Sequence, residues 1–168
     1  VAVLDGGWQA WLDSGGPTRN GLETRSSSCF IPRIKHSRLV ETGEILTRLH
    51  DPDFLLIDSR AEERYRGEVE PIDPVAGHIP GAILAPYENV LDAGGYFLPA
   101  EQLRSHFKRL MGDTSAKNTV FYCGSGVTAV QNILAVAHAG LGNSRLYAGS
   151  WSEWITDPDR PIAVGQSD

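Results

Sequence analysis

Cysteine is scarce in this chain of 168 residues, with Cys29 and Cys123 the two examples. Two thiols do not make a disulfide framework, and no Cys/His cluster has metal-ligand spacing, so neither a stapled secreted scaffold nor a zinc site is expected. No apolar run approaches the roughly 18 to 20 residues that a membrane-spanning helix needs. Basic residues are outnumbered, 15 Lys and Arg against 21 Asp and Glu, for a formal net charge of −6. Without a run of cations, the chain is a poor match for nucleic acid or an anionic membrane surface. The first residues lack the basic start and apolar stretch of a secretory signal, and the expectation is a soluble, cytoplasmic protein. No cofactor is called for. The apolar fraction of 41% is enough for a buried core. The length suits one domain plus an appendage and is short for two domains of average size.

All four tryptophans fall in one repeated pattern. Gly6-Gly7-Trp8-Gln9-Ala10-Trp11-Leu12 aligns at a constant offset with Gly149-Ser150-Trp151-Ser152-Glu153-Trp154-Ile155. Each copy reads as a short strand, a glycine turn and a helical turn with its tryptophans three apart on one face. Residues 1–16 are therefore expected to be the last strand and helix of a preceding domain. A start at Val instead of Met agrees with a fragment of a tandem protein. Residues 17–36 are rich in Gly, Ser, Thr, Asn and Pro and read as an interdomain linker, with Cys29 a passive residue inside it. Residues 37–168 form the main domain.

That domain alternates in the α/β manner. Ser37 to His50 is amphipathic and predicts a helix. Phe54 to Ile57 and Thr119 to Tyr122 are continuous apolar runs of the kind found in strands buried on both faces. Shorter strands are expected at Ala82–Leu84 and Arg145–Tyr147. Helices are expected through Arg64, over Pro99–Leu110, over Ala129–Ala139 and over Trp151–Ile155. The order implies a small parallel β-sheet flanked by helices on both faces.

The sharpest chemistry lies where the second long strand runs into Cys123-Gly124-Ser125-Gly126-Val127-Thr128 and a helix follows. Open α/β sheets place ligands at such strand ends. Backbone N–H groups of the loop can form an anion nest, the next helix adds its positive end, and both favour a thiolate. Small residues at 124–126 let the backbone close around the sulfur. The bland alternative is an inert cysteine at a strand end with glycines making a turn.

With Asp58-Ser59-Arg60, Arg64-Tyr65-Arg66-Gly67, Gly77-His78-Ile79-Pro80-Gly81-Ala82 and Gly149-Ser150-Trp151-Ser152-Glu153-Trp154, residues 37–162 resemble a rhodanese domain. The loop at Cys123 is similar to that of the 3-mercaptopyruvate sulfurtransferases. The resemblance implies a tandem sulfurtransferase whose second domain carries the active cysteine, the first rhodanese domain being absent from this chain. Cys123 would take sulfur from a donor as a persulfide and pass it to cyanide or to a thiol, thioredoxin being a typical acceptor. Ser125 would relay a proton to the enolate of pyruvate or, as the alternative, cap the following helix. Arg64 would grip the donor's carboxylate, against the alternative of a solvated arginine on a short helix. Gly124, Gly126, Val127 and Thr128 would bind the persulfide and donor through backbone N–H groups. Asp58 and Arg60 are supporting residues that tie the strand end to its neighbours. His78, Trp151 and Trp154 read as structural.

Two features bear on the donor. The mercaptopyruvate enzymes carry a second arginine after the Glu-Pro of the overhanging loop, where Ile72 follows Glu70-Pro71 in this chain. The loop 123–128 holds no Lys or Arg, which disfavours the dianion thiosulfate, the alternative donor. Against a phosphatase of Cys-x5-Arg type stands Ala129, which falls where that class needs its arginine. A non-catalytic rhodanese-like binding module is the remaining competitor, and retention of the cysteine argues against it.

Overall fold

The two long apolar runs pair directly. In the computed structural model, which describes residues 2–165, β1 (Leu55–Asp58) lies parallel to β3 (Thr119–Tyr122). Leu55 stands opposite Thr119 and Asp58 opposite Tyr122. β2 (Ile83–Leu84) joins the outer side of β1, and β4 (Arg145–Leu146) joins β3. The order β2-β1-β3-β4 places the reversal of strand order between β1 and β3, the position where open parallel sheets bind ligands.

Alternation along the strands divides the core in two. Ile57 and Phe121 face α4 (Ala100–Met111) and α5 (Ala129–His138) in one cluster with Leu103, Phe107, Ala135 and Val136. Leu56, Val120 and Tyr122 face the other way. There they meet Ile45 of α2 (Thr42–Arg48), Tyr65 of α3 (Glu62–Tyr65) and both tryptophans of α6 (Ser150–Trp154). Helices thus cover both faces, as the strand composition implied.

α4 shows why these segments are helical. Leu103, Phe107 and Met111 recur at four-residue spacing and are all buried. Glu101 in the first turn and Lys108 and Arg109 in the last complement the helix dipole. The helix stops at Gly112, whose φ of 53° is one that side chains rarely adopt.

Two sequence expectations are corrected. Ser37 to His50 is not one helix. A 3-10 turn at His36–Arg38 leads into extended backbone, where Val40 N–H donates to the Leu146 carbonyl at 2.9 Å, and only Thr42–Arg48 is α-helical. The free edge of β4 takes up Leu39 and Val40, and pairing there outweighs their helical spacing. The strand expected near the start does not form either. Residues 2–4 have no strand partner among the described residues, and a strand without a ladder has nothing to hold it. The helical half of that repeat does form, as α1 (Gly7–Asp13). Residues 17–35 carry no helix or strand and are exposed. No helix among the described residues is long and apolar enough to cross a membrane.

Candidate active site

Parallel pairing brings the ends of β1 and β3 side by side, and Ser59 N–H donates to the Tyr122 carbonyl at 2.8 Å. Cys123 follows on one strand and the Asp58-Ser59-Arg60 turn on the other. Cys123 is 2% exposed and unpaired. Its N–H donates to Ser150 Oγ at 3.2 Å, and that hydroxyl donates in turn to the Tyr147 carbonyl at 2.9 Å. Ser150 is the one non-glycine among the described residues with a positive φ, 55°. A sharp turn into α6 therefore sets the hydroxyl against the cysteine amide. Carbonyls of the loop are held from the same side: Trp151 N–H donates to that of Cys123 at 3.0 Å, and Ser152 N–H to that of Gly124 at 2.9 Å.

The amides of the next five residues are free. From Gly124 to Thr128 no backbone N–H donates to any atom among the described residues. Unpaired amides at the start of a helix form a ready cradle for an anion. Gly126 makes the turn possible, since its φ is 79° and a Cβ there would stand 2.6 Å from the Ala148 carbonyl oxygen.

A cleft of about 180 Å³ opens beside Cys123, lined among others by Arg64, Ile72, Asp73, Ser125 and Ser152. Gly124, Val127 and Thr128 also line it; Gly126, packed against Ala148, does not. Ser125 is exposed, and no side chain caps α5, so the capping alternative for this serine is not realised.

Arg64 is drawn over the loop by acids of segment 67–80. Its Nε meets both carboxylate oxygens of Glu70 at 3.0 and 3.1 Å, and Nη2 reaches Glu70 Oε1 at 2.6 Å and Asp73 Oδ2 at 3.2 Å. The solvated-surface alternative does not hold, because this side chain is 15% exposed. A Cβ on Gly124 would lie 3.5 Å from Nη1, so the guanidinium rests against the cysteine loop. Burial works to raise the Glu70 carboxyl, but hydrogen bonds from Arg64 and from the Asp73 and Ile72 amides outweigh it and hold the group below its ordinary value.

Arg60 and Asp58 lie beneath this layer and do not reach the cleft. Arg60 Nη2 bonds Asp58 Oδ2 and the Gly77 carbonyl, each at 2.6 Å, and Nη1 reaches Glu70 Oε2 at 3.3 Å. The guanidinium lies 4.8 Å from the Trp151 ring centroid. Burial would lower the Arg60 pKa, and the Asp58 carboxylate overcomes this, so the net shift is upward. Glu70 thereby joins two arginines, one structural and one at the cleft. His78 is buried against Tyr65, with ring centroids 3.8 Å apart and Nδ1 2.7 Å from the Tyr65 carbonyl.

Sequence reasoning had no role for Asp73, Ser150 or Ser152. The two serines stand inside the Gly149–Trp154 landmark, where the tryptophans drew attention. Asp73 directly follows the anomalous Ile72, and an acid beside a missing cation was a usable signal.

A single buried cysteine at the switch point of a parallel α/β sheet, cradled by free amides and overhung by an arginine, defines a class of cysteine-loop domains. Residues 41–157 match the family described as Rhodanese-like domain, and the chain belongs to that family. A Pseudomonas aeruginosa protein named "Probable 3-mercaptopyruvate sulfurtransferase" is 48% identical over 98% of this chain and 58% of its own length. Thiosulfate sulfurtransferase of Rattus norvegicus is 33% identical over 99% of the chain and 58% of its own. The chain spans little more than half the length of these relatives. Among solved structures, the anaerobic ergothioneine biosynthesis enzyme from Chlorobium limicola, in complex with trimethyl histidine, superposes with a TM-score of 0.84. Identity is 26%, over 97% of this chain and 41% of that one.

Proposed function

We propose that the chain is the catalytic portion of a sulfurtransferase that moves sulfane sulfur through a persulfide on Cys123. The observation that carries this reading is the buried cysteine in a loop of five unengaged amides, with Arg64 resting on it. The Cys123 thiolate attacks the sulfur of 3-mercaptopyruvate, and the S–S bond forms as the C–S bond breaks. The electron pair moves onto the departing enolate, which takes a proton to become pyruvate. Ser125 passes that proton in this reading, and its support is that the residue is exposed and lines the cleft with Cys123. Arg64 holds the donor's carboxylate, and the amides of 124–128 hold the persulfide. Attack by cyanide or by an acceptor thiol such as thioredoxin on the outer sulfur then returns Cys123 to thiolate. A neutral loop supports mercaptopyruvate as donor; Ile72 in place of an arginine is the feature that favours thiosulfate.

In this reading residues 1–16 close a preceding rhodanese repeat and residues 17–36 link it to the catalytic domain. The support is an asymmetry: Trp151 and Trp154 are fully buried, whereas their counterparts Trp8 and Trp11 are 65% and 37% exposed. A reducing cytoplasm suits a cysteine that must stay free between turnovers. The test is mass spectrometry after incubation with either donor. A sulfur adduct on Cys123, absent from Cys123→Ser, is expected; an unmodified Cys123 with both donors, or substantial transfer by the serine variant, refutes the reading.

A further inference from the structure

We propose that Asp73 is an internal anion that sets donor selectivity: its carboxylate occupies half of the Arg64 fork facing Gly124, and an anionic donor binds by displacing it. This rests on the reading of Arg64 as the donor's anchor beside a sulfur-carrying Cys123. A guanidinium takes a carboxylate or sulfonate best through two parallel N–H bonds along one edge. The Nε/Nη2 edge of Arg64 belongs to Glu70. The Nη1/Nη2 edge remains, and there Asp73 Oδ2 accepts from Nη2 at 3.2 Å while Nη1 donates to nothing among the described residues.

Both groups converge on the cysteine loop. A Cβ on Gly124 would lie 3.5 and 3.6 Å from Nη1 and Nη2, and 3.9 Å from Asp73 Oδ2. Asp73 is 8% exposed and is held from its other oxygen, where Oδ1 accepts from Ser152 Oγ at 2.8 Å. It is an intramolecular competitor, tethered to the wall through one oxygen and displaceable from Nη2 at the other. Around the cleft and beneath it, Asp58, Glu70 and Asp73 face Arg60 and Arg64, so carboxylates outnumber guanidiniums. A second negative charge on a donor is opposed there, and a monoanion is opposed less.

Calorimetric titration of this chain with sulfate and with pyruvate, at constant ionic strength, tests the competition. Asp73→Asn keeps an oxygen for Ser152 and removes the charge from Nη2. It is expected to tighten sulfate about tenfold and pyruvate by a smaller factor. Asp73→Glu retains the charge and should show no such gain. In steady-state transfer the KM for thiosulfate should fall relative to that for 3-mercaptopyruvate in Asp73→Asn. Most of the sulfate gain should vanish when Arg64→Ala is combined with Asp73→Asn, a dependence that a merely structural aspartate would not show. If Asp73→Asn does not fold, Asp73→Ser serves in its place. Unchanged or weaker sulfate binding by the folded neutral variant, or a gain that survives undiminished without Arg64, overturns the proposal. A calorimetric gain with no sulfur uptake on Cys123 would refute the sulfurtransferase reading and leave the Asp73–Arg64 competition standing.

Discussion

Arg64 is the cation that lines the cleft beside Cys123, and in the proposed reading it is the group that anchors the donor. On that reading, removing it would strip one charge-assisted contact from the donor, and it would end the 3.2 Å contact with Asp73. Arg64→Ala is expected to lower kcat/KM about 10- to 100-fold, the loss that goes with one hydrogen bond to a charged group. Arg64→Lys should recover part of this, since an ammonium cannot form the fork. Glu70 also pairs with Arg60 at 3.3 Å, a contact that neither substitution removes, so the fold should survive and the kinetics remain interpretable. Steady-state kinetics equal to those of the parent chain would remove Arg64 from the mechanism.

In the strand–loop–helix unit β3–α5, local backbone geometry shapes the loop that holds Cys123. Its turn depends on Gly126, and the left-handed backbone there leaves no room for a Cβ against Ala148. Gly126→Ala is expected to destabilise the chain by about 1–3 kcal/mol through strain alone and to slow sulfur uptake on Cys123. Gly43 in α2 offers the contrast, because nothing lies within 4 Å of its Cβ position. Gly43→Ala should stabilise by about 0.5–1 kcal/mol by removing a flexible residue from a helix. Urea denaturation midpoints for the two variants should move in opposite directions. A midpoint for Gly126→Ala that does not fall would show that the turn is not strained, and one for Gly43→Ala that does not rise would refute the helix argument.

For the whole molecule, acid is the expected weakness. Burial holds His78 below the ordinary histidine pKa, and burial with the nearby Arg109 does the same to His106. The unfolded chain therefore binds protons that the folded chain resists. Stability is full above about pH 6.5 and is lost as pH falls below it toward the depressed folded values. Glu44, paired chiefly with Arg145, and Glu70 are depressed carboxyls. Their contribution is present above the ordinary glutamate range and is lost at still lower pH. Melting temperature should therefore decline in two stages on acidification, and His78→Gln should flatten the upper stage. A melting temperature that is level from pH 7 to pH 5 would contradict this account.

The alternation of apolar runs with amphipathic segments was enough to place β1, β3, α4 and α5 and to imply a parallel sheet covered on both faces. Those signals are local, since period and burial follow from neighbours in the chain. The cysteine loop was legible for the same reason: strand, nucleophile, glycines and helix are contiguous. Resemblance, through motifs scattered along the chain, added Arg64. Other features depended on partners far away in sequence. Leu39 and Val40 left their helical pattern because β4 offered an edge, and residues 2–4 stayed irregular because no strand lay beside them. Ser150 and Ser152 reach the loop only because α6 packs behind it, and Asp73 reaches Arg64 and Ser152 only because segment 67–80 folds over the cleft. Hydrogen bonds and charges have no periodicity to read. Their geometry exists only once the sheet has brought separate strand ends together.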